Sequence, residues 1–179
     1  LMHMPFVSTE TFHALNSNEM IPAELSNPIN ENEPLMRGSL FGSLFSAINL
    51  NVKKGYSAMK FFEHGNVFHK IKNGFAQESN ISGLIYFHES QKTWSDKSLQ
   101  YDFYSLKAEV LQLLETLRVK SIKLVPNSSS MIFTVNAMDI FAGKRKIGML
   151  GEINPTATQK LIKNPAFGFE IYPEKISTK

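Results

Sequence analysis

Cysteine is absent from this 179-residue chain. Disulfides, thiol nucleophiles and cysteine-ligated zinc or iron–sulfur sites are thereby excluded, and a cytoplasmic setting is expected. No apolar run approaches the ~20 residues needed to span a bilayer, so no membrane partner is expected. Internal repeats and low-complexity segments are also lacking, as are a P-loop, a G-x-G-x-x-G fingerprint, a G-x-S-x-G elbow and an H-E-x-x-H pair. Arginine is scarce: Arg37, Arg118 and Arg145 accompany 16 lysines. These cations exceed the 16 acids by three, and the pI near 9.0 permits weak attraction to a polyanion, although the lysines are scattered. What remains is ordinary for a globular chain, with 42% apolar residues and a mean hydropathy of −0.16. This length suffices for one domain burying roughly 70% of its unfolded surface. Residues 1–5, Leu1-Met2-His3-Met4-Pro5, are expected to be vector-derived residues in front of a piece of something larger, with one domain over 6–179.

Pattern reading gives an alternation of strands and helices. A short helix is expected near Thr9–Leu15, and a strand over Met20–Leu25 is interrupted by Pro22. From Asn27 to Gly55 an Asn-Pro turn and an acidic loop lead into an amphipathic helix. Leu40, Phe41, Leu44, Phe45, Ile48 and Val52 fall on one stripe, Ser39 stands at the cap, and Lys53, Lys54 and Gly55 form the stop. Lys60–Lys70 is a strand with a bulge or bend at Gly65, paired through the Asn73-Gly74 turn with Ser82–Glu89. Ser90–Gln100, which carries the single tryptophan, reads as a surface connection. A second helix spans Asp102–Leu117, with Leu106, Val110, Leu113, Leu114 and Leu117 as its stripe and Asp102 or Ser105 as cap. Strands follow at Ser121–Pro126, Ser130–Asp139 and Lys146–Ile153, then a short helix at Thr156–Ile162 and a last strand at Phe167–Tyr172. Consecutive strands with short turns predict a mainly antiparallel sheet with helices on one side, an α+β fold.

The residues that could carry chemistry have ordinary readings beside them. His64 and His69 lie an odd number of residues apart, so an unbroken strand sends them to opposite sides, away from a shared metal. Glu63, Glu152 and Glu170 could line a cleft, but partial exposure or pairing with lysine is the default. Lys144-Arg145-Lys146 could touch a phosphate, but a basic hairpin tip in water explains it at least as well and is the default.

Four ordered blocks nevertheless share one resemblance. Asn27-Pro28, Met36-Arg37-Gly38-Ser39-Leu40, Leu44 and Asn51 follow an "NP…LR-x-SL…LL…N" pattern. Phe61–Phe68 is similar to "FE-x-G-x-VF", Asp102–Ala108 to "DFYDLKG" and Ile147–Pro155 to "IGxLGExHP". Together they resemble the catalytic-like core domain in the β chain of bacterial phenylalanyl-tRNA synthetase. That resemblance implies a class II aminoacyl-tRNA synthetase core, an antiparallel sheet flanked by helices. It implies a non-catalytic domain whose partner is the α subunit of an α2β2 assembly, with tRNA bound through the holoenzyme. ATP and magnesium are implied for the α subunit, and no cofactor, metal or catalytic residue for this domain. The segment Pro34–Lys54 corresponds to the first class II motif, which builds subunit interfaces, so Arg37, Leu40, Phe41, Leu44, Phe45, Ile48 and Asn51 are expected at such an interface.

The residues agree with a silent site. Adenylation spreads negative charge over a phosphoryl group and calls for fixed arginines on the second and third class II motifs. Phe61 stands two residues before Glu63, where the second motif would carry one, and no arginine follows the last strand. Some positions depart from the family: Pro126-Asn127-Ser128 occupies the region of a His-Pro pair, Asn154 replaces the usual histidine before Pro155, and Phe41 and Phe45 replace commoner leucines. Two other functions stay open, a free-standing adenylating domain with an altered site and a tRNA-binding module using lysines near Lys53, Lys120 and Lys144.

Overall fold

In the computed structural model, which describes residues 2–16, 20–87, 101–134, 136–156 and 165–176, the chain opens with strand β1 (Phe6–Val7) and helix α1 (Thr9–Leu15). Ser8 caps α1, its hydroxyl accepting from the Thr11 amide at 3.1 Å. Strand β2 (Leu35–Met36) pairs antiparallel with β1 and delivers the chain to helix α2 (Phe41–Lys53). Next come β3 (Ala58–Ile71), β4 (Gly74–Phe87), helix α3 (Phe103–Thr116), β5 (Ile122–Pro126), β6 (Met138–Ala142), β7 (Arg145–Glu152) and β8 (Ala166–Ile171). A 3-10 turn, Pro173–Lys175, follows β8.

Strands β3 to β8 form one sheet in the order β3-β4-β8-β7-β6-β5, with every pair antiparallel. The last strand is inserted between β4 and β7. Its sequence, AFGFEI, lacks a polar face and is buried at nearly every position, as a central strand requires. At the sheet's edge, β3 and β4 form a long hairpin closed at Ile71 and Gly74, where Gly74 takes φ +119°, a conformation closed to most L-residues.

Alternation along these strands sends side chains to two cores. Leu84, Tyr86 and Ala166 meet Phe41, Leu44, Phe45 and Ile48 of α2. The intervening residues Ile85 and Phe167, with Leu150 and Ile171, meet Phe103, Leu106, Val110 and Leu114 of α3. Helices α2 and α3 therefore cover opposite faces of the sheet, not the single face expected, because its central strands are apolar at odd and even positions alike.

Other expectations shift locally. Met20–Leu25 contributes only an isolated bridge, Glu24 to Leu35. The strand expected from Ser130 starts at Met138, because Asn127 and Ser130 turn their side chains onto nearby amides at 2.9 and 3.1 Å and hold the preceding chain in a loop. Gly65 introduces no bulge, since the β3–β4 register runs unbroken from Ala58 to Ile71. Asp102 caps α3, accepting from the Ser105 amide at 2.8 Å, but Leu117 lies past the last helical residue and is exposed. The connection at Ser90–Gln100, and the helix expected from Thr156 beyond that residue, lie outside the described residues.

Candidate functional site

Strand β3 carries Glu63 in phase with Phe61 and Val67, on the face turned toward α2, so the carboxylate enters the core. Arg37, just after β2, meets it there: Nη1 donates to Glu63 Oε1 at 2.7 Å and to Ser43 Oγ at 3.3 Å, and Nε donates to the Asn66 carbonyl at 2.9 Å. Exposure is 4% for Arg37 and 1% for Glu63. His3 Nδ1 lies 2.6 Å from the other carboxylate oxygen. Burial pushes the Glu63 carboxyl up, but the hydrogen bonds from His3 and Arg37 and the Arg37 charge outweigh it and leave it below the ordinary glutamate value. Gly65 makes the arrangement possible, because a Cβ there would overlap the Arg37 guanidinium.

A second buried acid sits on the same face. Glu170 of β8 accepts from Ser82 Oγ at 2.9 Å and from the Leu40 amide at 3.5 Å. Burial pushes its carboxyl up, offset only partly by donors from Ser82, Leu40, Asn80 and Ser39. Ser39 does not act as the expected N-cap. That position belongs to Leu40, while the Ser39 hydroxyl accepts from the Phe41 amide at 3.3 Å. The start of α2 is thus fixed to the sheet by two acids, each on its own strand.

Beside this cluster lies a cavity of about 460 Å³, lined among others by Gly38, Ser39, Asn80, Glu170, Lys146 and Tyr172. Asn80 Oδ1 is buried without a partner among the described residues, and Lys146 is held by Asp139 at 2.7 Å. Phe61 packs half-buried against the α2 core on the face that Glu63 shares. The lining offers hydrogen-bond donors and acceptors but no arginine among the described residues, and Arg37, next to Gly38 in the chain, is committed to Glu63.

The residues expected at a subunit interface take up different positions. Leu40, Phe41, Leu44, Phe45 and Ile48 are essentially inaccessible within this chain, and Arg37 is buried in its ion pair. Asn51 is half-buried and donates to the Ala47 carbonyl at 2.8 Å. An apolar helical stripe seats on the chain's own sheet when one is available, and here it does. The outward face of α2 presents Ser46, Leu50, Lys53 and Lys54 instead, with Leu50 55% exposed. Glu63 and Glu170, read as surface or lysine-paired acids, are core residues, whereas Glu152 is half-buried. Their phase with Phe61, Val67, Ala166 and Gly168 was the available signal. Asn80, Ser82 and His3 carried none. His64 is exposed, with Nε2 2.8 Å from Ser79 Oγ.

Residues 1–172 match the family model described as the phenylalanyl tRNA synthetase beta chain CLM domain. The chain belongs to that family. Among curated relatives, the phenylalanine–tRNA ligase beta subunit of Neisseria gonorrhoeae is 31% identical over 140 residues, 78% of this chain and 17% of that subunit. That of Wigglesworthia glossinidia brevipalpis is 30% identical over 184 aligned residues, 96% of this chain and 22% of that subunit. The chain therefore spans about a fifth of the length of these synthetase subunits. Among solved structures, the pyrrolysyl-tRNA synthetase PylSc of Desulfitobacterium hafniense superposes with a TM-score of 0.67 at 14% identity, covering 97% of this chain and 59% of that one. That likeness shows the fold, a class II aminoacyl-tRNA synthetase core. No helix among the described residues is long and apolar enough to cross a membrane.

Proposed function

We propose that this chain is the core of a phenylalanine–tRNA ligase β subunit and serves assembly with the α subunit, leaving the adenylation chemistry, with its ATP and magnesium, to that partner. The observation that carries the reading is the replacement of a free cation by apolar and ion-paired groups on the sheet face beneath α2. Phe61 packs into the core where the second class II motif would offer an arginine, and the nearby Arg37 is neutralised by Glu63. Stabilising a charged phosphoryl group needs a cation aimed at it, not one consumed by a carboxylate. The relatives' description as β subunits supports the placement of the chain in that subunit. Binding to the α subunit falls to surfaces that the core leaves open, foremost the outward face of α2 around Leu50.

Co-purification tests this reading. The chain mixed with a separately expressed α subunit is expected to elute as a complex by size-exclusion chromatography with light scattering. Leu50→Asp is expected to weaken that complex while leaving the circular dichroism spectrum unchanged. Phenylalanine-dependent ATP–pyrophosphate exchange by the chain alone would overturn the non-catalytic assignment.

A further inference from the structure

Opposite the buried cluster in character, a surface groove of about 560 Å³ gathers charge of one sign. Arg118 and Lys120 come from the turn after α3, Lys144 and Arg145 from the β6–β7 hairpin, and Lys175 from the 3-10 turn after β8. All five are exposed, and among the described residues no carboxylate lines the groove. Among the described residues only Lys175 has an ion pair, with Glu78 at 3.8 Å, and the other four have no carboxylate within 4.0 Å. Cations beside the C-terminus of α3 could simply complement the helix dipole, but that accounts for Arg118 and Lys120 alone. Lys144, Arg145 and Lys175 arrive from distant parts of the sequence. The turn and the hairpin are fastened together by the Gly143 amide donating to the Ser121 carbonyl at 3.1 Å, with Arg118, Ser121 and Gly143 all at positive φ.

The distribution of arginine narrows the ligand. Of the three in the chain, Arg37 is buried against Glu63, and the remaining two both line this groove. Guanidinium forks suit phosphate oxygens, and like charges drawn together with a single counterion among the described residues favour a polyanion that releases its own condensed ions on binding. Among the described residues no aromatic side chain lines the groove, so none of them would stack on bases there. Resting on the ligase reading above, in which RNA is the macromolecular substrate, we infer that this groove holds the phosphodiester backbone of an RNA strand, without reading its sequence.

Fluorescence anisotropy with a labelled phenylalanine tRNA transcript tests the assignment, on the chain alone and on its complex with the α subunit, between 50 and 200 mM salt. Lys120→Ala/Lys144→Ala is expected to weaken binding roughly tenfold or more at the lower salt and to make the log–log salt slope shallower by about 2. Its melting temperature should match that of the unsubstituted chain. Equal affinity and slope for the two proteins, or no binding by the unsubstituted chain at 50 mM salt, would overturn the inference. So would unchanged RNA binding accompanied by lost capture of the α subunit, which would make the groove a seat for an acidic protein segment. Groove-dependent RNA binding by a chain that fails to capture the α subunit would support the site and count against the assembly reading instead.

Discussion

Replacing Arg37 with methionine removes the cation from the Glu63 pair at nearly constant side-chain length. Three bonds go with it, those to Glu63, Ser43 and the Asn66 carbonyl, and a carboxylate only 1% exposed keeps, among the described residues, its contact with the His3 ring. Breaking a buried pair from one side costs about 3–5 kcal/mol, most of it the stranded charge. For a chain of this size that corresponds to a fall in Tm of roughly 6–20 °C. The pH dependence identifies the cause. Because the Glu63 carboxyl sits below its unfolded value, the pair's contribution is fully present above the unfolded glutamate pKa of about 4.3 and is lost as pH falls through the lower folded value. The penalty of Arg37→Met should therefore be large at pH 7 and shrink toward pH 4, as the stranded carboxylate takes up a proton. Urea unfolding at a series of pH values measures it. Arg37→Met/Glu63→Leu, which removes both charges, should recover most of the loss at pH 7. A pH-independent penalty, or a double variant no better than the single one, would refute the stranded-charge argument and leave only lost packing.

Glu170→Gln should behave in the opposite sense. A carboxyl held above its unfolded value costs stability as pH rises above the unfolded glutamate pKa of about 4.3, so the glutamine variant should gain on the parent as pH is raised from there in thermal melts. Gly148→Ala places a Cβ 2.5 Å from the Glu170 carbonyl oxygen and 3.2 Å from Ile171 Cα, backbone atoms that cannot rotate away, and should cost about 1–3 kcal/mol or more by urea unfolding. Gly168→Ala first meets the side chains of Phe41 and Ile153, which can yield in part, and should cost less in the same assay. On α2, Phe41→Asp should abolish cooperative unfolding, whereas Leu50→Asp should leave Tm within a few degrees, since one side chain is wholly buried and the other 55% exposed.

Why some of this was legible in the sequence and some not follows from the range over which each signal acts. Asn73-Gly74 and the Asp102 cap are decided within a few residues, and each stands where local chemistry placed it. The stripe of α2 was equally legible as a stripe. What it packs against was not, because periodicity marks an apolar face without saying whether the chain's own sheet or another subunit covers it. The class II motif pointed outward, and burial of Phe41, Leu44, Phe45 and Ile48 points inward. Glu63 failed for a related reason. Alternation with Phe61 and Val67 put it on the core face, but a lone glutamate is rarely buried, and its partners lie 26 and 60 residues away. Gly65 shows the same dependence from the other side. Read locally it is a strand breaker, whereas the fold uses it as the space through which the Arg37 side chain reaches Glu63. With Arg37 set against Glu63, the chain entering α2 gains a fixed seat on the sheet. Repeating the pH-resolved unfolding in complex with the α subunit would show whether that seat also matters for assembly: Arg37→Met should then loosen the complex in proportion to its loss of stability, and an equally tight complex would separate the two roles.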